Sequence, residues 1–217
     1  MLRFCTSLIG FMALVSLVGC NAGNAALFDA AKNGNRDAVD NALKIKGANI
    51  NVKNGDKNTP LIEAVQANNK NAAEALLDNG ADPNIADEDR DGPLHFAAKK
   101  NYTDIAAVLL DKKADPNLKD EDGDTPLTIA ANNGYFELCQ LLLTHGADPN
   151  IREEDGRTAL HEAAKNGYLE IVRALLDRGA DASIRDNEGN TALGLAQSNN
   201  YRSISDLLRS RRGATTR

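Results

Sequence analysis

Apolar residues along this chain follow two different patterns. Leu8 to Cys20 is a run without a charged side chain. Beyond it, apolar residues come in short bursts spaced three and four apart, as in Ile105/Leu109/Leu110, Leu138/Leu142/Leu143 and Ile171/Leu175/Leu176. That spacing places them on one face of a helix. Ahead of each such helix the pattern predicts another, opened by Thr-Pro-Leu or a variant of it. Thr suits a helix N-cap and Pro the first turn. Positions 35, 68, 101, 134, 167 and 200 hold Asn, Asn, Asn, Gly, Gly and Asn. These residues tolerate the left-handed conformation that closes a helix. Each second helix should end at the Gly of a Gly-Ala-Asp motif. The Asp/Asn/Gly-rich stretch that follows reads as a hairpin finger.

The unit repeats every 33 residues. Thr59-Pro60-Leu61, Gly92-Pro93-Leu94, Thr125-Pro126-Leu127, Thr158-Ala159-Leu160 and Thr191-Ala192-Leu193 keep that interval, and one period earlier stands Ala26-Leu27-Phe28. Gly80-Ala81-Asp82-Pro83-Asn84, Lys113-Ala114-Asp115-Pro116-Asn117, Gly146-Ala147-Asp148-Pro149-Asn150 and Gly179-Ala180-Asp181 run in the same register. One helical pair cannot bury its own apolar face, so the units should stack and end in polar caps. Ala98, Ala131 and Ala164 inside are replaced by Lys32 and Gln197 at the ends, and Leu77, Leu110, Leu143 and Leu176 by Lys44 and Arg209. Six repeats are expected, at 26–58, 59–91, 92–124, 125–157, 158–190 and 191–212, with a flexible tail at 213–217.

The repeat resembles the ankyrin repeat. Leu94-His95-Phe96-Ala97-Ala98 and Leu160-His161-Glu162-Ala163-Ala164 match its first helix, and Tyr168 to Leu176 its second. The resemblance implies a mostly α solenoid of helix-turn-helix units with hairpin fingers. It also implies that His95 and His161 bond to neighbouring finger backbone. Protein partners would bind the concave face of finger tips and first helices. By register that face holds Glu88, Asp89, Asp91, Lys99, Lys100 and Tyr102; then Glu121, Asp122, Asp124, Asn132, Asn133 and Tyr135; then Glu154, Asp155, Arg157, Lys165 and Tyr168. The tyrosines follow the first helix, where a role in the repeat itself is equally open.

Composition narrows the function. The 217 residues are 42% hydrophobic, 26% charged and 4% aromatic, with net charge −6. The acidic balance argues against nucleic acid as a partner, which needs a basic footprint. Three Cys build no disulfide framework. Three His on different repeats have no ligands at zinc spacing, and Cys139 falls among core leucines. No phosphate loop, G-x-S-x-G or H-E-x-x-H is present, so a protein scaffold is expected, without catalysis, cofactor, resident metal or small-molecule substrate, and monomeric. Its acidic fingers read either as a solvated edge that keeps the surface soluble or as a contact for a basic partner. One rival reading rests on Asp87-x-Asp89-x-Asp91-Gly92, which begins like a calcium loop. Position twelve of such a loop would be Ala98, where a bidentate Glu is needed.

The N-terminus resembles a bacterial lipoprotein signal. Arg3 precedes the apolar run, which is too short to span a bilayer comfortably. It ends in Leu17-Val18-Gly19-Cys20, similar to a lipobox. The resemblance implies removal of residues 1–19, lipidation of Cys20 and a tether at 20–25. Asn21 in place of Asp favours the outer membrane, facing the periplasm or the surface. Ordinary cleavage after Ala22 or Ala25 and an uncleaved anchor are the alternatives. Bacterial relatives suggest an accessory protein of an envelope enzyme or an immunity protein that neutralises a toxin. A calcium-binding structural envelope protein and a secreted ankyrin effector are the other readings.

Overall fold

The computed structural model describes residues 22–214, and within them the chain forms six helical pairs. They are α1 (Ala22–Asn33) with α2 (Arg36–Leu43), α3 (Pro60–Gln66) with α4 (Lys70–Asp78), and α5 (Pro93–Lys100) with α6 (Thr103–Asp111). Then come α7 (Pro126–Asn133) with α8 (Phe136–Thr144), α9 (Ala159–Asn166) with α10 (Leu169–Asp177), and α11 (Ala192–Ser198) with α12 (Arg202–Ala214). First helices stack on first helices and second on second, in chain order, giving two layers. Leu27, Leu61, Leu76, Leu109, Leu127, Leu142, Leu160 and Leu175 sit fully buried along one continuous core. The array is a solenoid of helical pairs stacked in sequence order.

The first helices begin as their sequence predicts. Thr59 accepts a hydrogen bond from the Ile62 amide at 3.2 Å, and Thr125 does the same for Thr128. Pro60 and Pro126 follow in the first turn. Asn68, Asn101, Gly134, Gly167 and Asn200 take positive φ, closing these helices as expected. Asn35 does not. Its φ is −127°, and its side chain caps α2 by accepting from the Ala38 amide at 2.8 Å. Asn69 caps α4 in the same way, 34 residues later. The second helix of the first repeat is therefore one residue out of the 33-residue register.

That slip corrects the reading of Lys44. Leu43, packed on the core, takes the helical place of Leu77, and Lys44 becomes the C-cap of α2, where a polar residue is ordinary. Lys32, Gln197 and Arg209 are exposed, whereas Ala98, Ala131 and Ala164 are fully buried. The stack also starts earlier than position 26. Helix α1 takes in 22–25, because Asn24 is buried and accepts from the Asn49 amide at 2.9 Å. That bond opens a ladder. In each of the first four units an Asn accepts from the next repeat's Asp amide: Asn51 from Asp82, Asn84 from Asp115, Asn117 from Asp148 and Asn150 from Asp181. Helix α12 likewise continues to Ala214, past the expected boundary at 212. Residues 1–21, with the proposed signal and Cys20, and 215–217 of the tail lie outside the described residues.

The fingers reverse the chain in tight turns without a strand ladder, since no strand occurs among the described residues. One backbone bond closes each base, as from the Asp87 amide to the Asp91 carbonyl and from Asp120 to Asp124. Bonds then run between fingers: Glu121 N–H to Asp89 O (3.0 Å), Glu154 to Asp122 (3.2 Å) and Asn187 to Asp155 (2.9 Å). Backbone groups satisfied by a neighbouring repeat are unavailable for a strand ladder within the finger.

Candidate functional site: the face of first helices and fingers

The His positions carry structure. His95 Nδ1 accepts from the Gly92 amide (3.0 Å), which leaves Nε2–H to donate to the Leu118 carbonyl of the next unit (3.0 Å). His161 repeats this with Thr158 and Ile184. Both rings are buried, and burial lowers their pKa. His145 caps the end of α8 and approaches Asp111 at 3.5 Å. Cys139 is fully buried, and burial pushes its thiol up to about 12, far from a reactive thiolate.

The finger at 87–91 is closed by its own charges. Asp87 accepts from the Asp91 amide (2.9 Å), as Asp120 does from Asp124 and Asp186 from Asn190. Asp91 is buried, and Lys99 grips its carboxylate at 2.6 Å while standing 3.6 Å from the buried Asp120. Burial is the largest influence on Lys99 and opposes its charge, but the bond to Asp91 and the charges of Asp91 and Asp120 together outweigh it and the pKa is raised. The carboxylate that a calcium loop would place third is thus taken by an ammonium, and Ala98 at position twelve is fully buried. Arg90, at φ 61°, makes the left-handed turn that Gly123, Gly156 and Gly189 make in later fingers. Gly92 has φ −84° and serves as the N-cap of α5.

The fourth finger is built differently. Glu153 stands where the others have Asn54, Asp87, Asp120 and Asp186. Its longer side chain turns toward Asp124 of the preceding finger, to which it is hydrogen-bonded. Burial first, then the charges of Asp124 and Glu162, push its carboxyl up to about 8. Near neutral pH it is protonated and donates to Asp124. Arg157 enters the same cluster, 3.1 Å from Asp155, 3.4 Å from Glu162 and 3.5 Å from Asp186. Oxygens of Glu153, Asp155 and Glu162 lie within 4.8 Å of one another, and the guanidinium already supplies their counter-charge.

These side chains line an open groove of about 380 Å³ across the third, fourth and fifth repeats. Of the residues picked by register, the structure brings Lys99, Asp124, Asn132, Asn133, Asp155, Arg157 and Lys165 into it. Glu88, Asp89, Glu121, Asp122 and Glu154 are exposed on the fingers outside it, with Lys100 exposed at the end of α5. Asp91 is buried. Tyr102, Tyr135 and Tyr168 are half-buried N-caps of second helices, packed on the core. Gly134 shows why: a Cβ there would lie 2.7 Å from the Tyr168 ring, so only a glycine lets the ring of the next repeat settle over it. Thr128, Ile129, Glu153 and Glu162 complete the lining and were missed. Glu153 carried a signal, since it breaks the Asn/Asp series of its column. With Glu153 protonated, Asp124, Asp155 and Glu162 balance Lys99, Arg157 and Lys165. The acidic surplus sits on the tips.

The family model "Ankyrin repeats (3 copies)" matches residues 5–87, 27–120, 94–186 and 127–216. The chain belongs to the ankyrin-repeat family. It is also similar to the crystal structure of an ankyrin repeat domain from Acinetobacter baumannii AYE, with 34% identity over 85% of this chain and 96% of that one and a TM-score of 0.81. A search of curated proteins found no match. Ankyrin repeats indicate a protein-interaction scaffold, and a groove of paired charges on the face of such a scaffold suits side chains of another polypeptide.

Proposed function

We propose that this ankyrin-repeat chain is a non-catalytic scaffold of the bacterial envelope, lipid-anchored through Cys20, that binds a basic protein partner. The observation that carries the reading is the division of the face into acidic tips and a charge-balanced groove. Tip carboxylates steer a positively charged partner at low salt. The groove, floored by Ile129 and rimmed by Asn132 and Asn133, then selects its side chains. The lipobox-like Leu17-Val18-Gly19-Cys20 supports the anchor. No helix among the described residues is long and apolar enough to cross a membrane. Two partners fit this setting: an envelope enzyme that the scaffold assists, or a toxin that it neutralises.

Capture from envelope extracts tests the proposal. A stoichiometric basic protein should be recovered by the native chain and lost with Glu121→Lys/Asp122→Lys/Glu154→Lys, whose sites are exposed and so leave the fold intact. Equal recovery by both chains would contradict tip-guided recognition.

A further inference from the structure

The first repeat differs from the rest in what it leaves uncovered. Every internal helical pair has neighbours on both sides, but among the described residues the outer side of α1 and α2 has none, as at the other end for α11 and α12. There Ala26, Ala30, Ala38, Ala42 and Ile45 line an open groove whose surface is mainly apolar, with Asp29, Asn33, Asn35 and Asn41 between them. Ile45 is 39% exposed, one of two large apolar side chains exposed among the described residues. Exposed Lys44 and Lys46 flank it. Charge follows the same division. Residues 22–58 carry six Lys/Arg against four Asp, whereas residues 59–190 carry thirteen Lys/Arg against twenty-six Asp/Glu.

We infer that this end of the stack is a membrane-contact face, seated on the anionic headgroup surface of the bilayer, so that the solenoid stands with its first repeat down and the acidic fingers held clear. The inference rests on the lipid anchor proposed above. It commits to a lipid surface because of where the chain enters the fold. Ala26 and Ala30 begin one turn after the start of α1, about 6 Å along the helix. Cys20 lies two residues before that start, within about 7 Å of extended chain. A lipid on Cys20 therefore holds the groove at the bilayer surface. Apolar side chains flanked by lysines fit the boundary between headgroups and acyl chains. The acidic middle of the chain is repelled from the same surface. Residues 191–217 are also basic, with five Arg against one Asp, but they are at the far end of the stack from the anchor.

The test uses two preparations on vesicles of phosphatidylcholine with one quarter phosphatidylglycerol. In one, the full chain is made in cells that acylate lipoproteins, and the mass of its N-terminal peptide is measured. In the other, a chain beginning at Cys20, which keeps every described helix, is coupled through that thiol to a maleimide lipid. Each carries a fluorophore at Ile45→Cys or, separately, at Asp206→Cys in α12; buried Cys139 stays unlabelled. Iodide quenching at position 45 should fall several-fold on vesicles, with position 206 unchanged and Lys44→Glu/Lys46→Glu abolishing the protection. Equal quenching at 45 with and without vesicles in the coupled chain overturns the inference, as does protection at 206 instead. Protection at 45 in the full chain before vesicles are added also overturns it, and assigns the groove to the chain's own N-terminal segment or the lipid it carries. A missing acyl mass defeats the anchor reading alone, because the coupled chain still reports on the face.

Discussion

The fingers at 87–91 and 153–157 occupy equivalent places and solve one problem in opposite ways. In the first, Asp87 ties back to its own turn and Lys99 locks Asp91 against Asp120. In the second, Glu153 is too long for that tie and reaches across to Asp124, and Arg157 gathers Asp155, Glu162 and Asp186. One extra methylene thus moves the carboxyl's tie from its own turn to the neighbouring finger. Both fingers join repeats, the first through a lysine that closes over it and the second through a carboxyl pair that leaves a groove beside it.

Removing the cation at each finger should separate the two most sharply. Arg157→Ala strips the counter-charge from buried Asp186, leaves buried Glu162 with Lys165 alone, and should destabilise the stack by about 3 kcal/mol, the usual loss when one partner of a buried ion pair is removed. Lys99→Ala, half exposed at its head, should lose about 1–2 kcal/mol. Urea melts of both variants against the native chain check the order; equal losses would dissolve the contrast.

Glu153 gives the contrast a pH signature. Its folded carboxyl is raised to about 8, against an ordinary value of 4.5. Between those values the folded chain holds a proton that the unfolded chain releases. Stability from this group is complete below the ordinary value and lost as pH rises through about 8. Glu153→Gln should flatten the fall in melting temperature from mildly acidic to mildly alkaline pH. The difference should amount to about 1 kcal/mol, with much of the nominal linkage lost to solvent screening. The smallest effect is a gain. Arg90 holds a positive φ in the finger where later repeats use Gly, so Arg90→Gly should relieve strain and raise stability by about 0.5 kcal/mol, offset in part by glycine's unfolded-state entropy.

The period of 33 made the stack legible, because helix caps, apolar faces and the Asn of each Asp-Pro-Asn depend on local residues that recur. It failed where a repeat departs from its period. The one-residue slip at Asn35 moved α2 and misplaced Lys44, and nothing in the 33-residue spacing marked it. Asn24 extended α1 into the expected tether through a bond 25 residues away in sequence, which a column comparison does not show. The face was half legible. Register named the columns, and with them seven groove residues, but burial decided that Asp91 and the tyrosines face inward. Glu153 acts through the preceding repeat, so its role depended on a distance between units that only coordinates supply.

The central claim is that the face of first helices and fingers across the third to fifth repeats recognises another protein. Amide hydrogen exchange on the captured complex tests it most directly. Exchange should slow at 120–133 and 153–166, with the second helices α6, α8 and α10 unchanged. Protection concentrated on those second helices, with the groove residues exchanging as in the free chain, would contradict it.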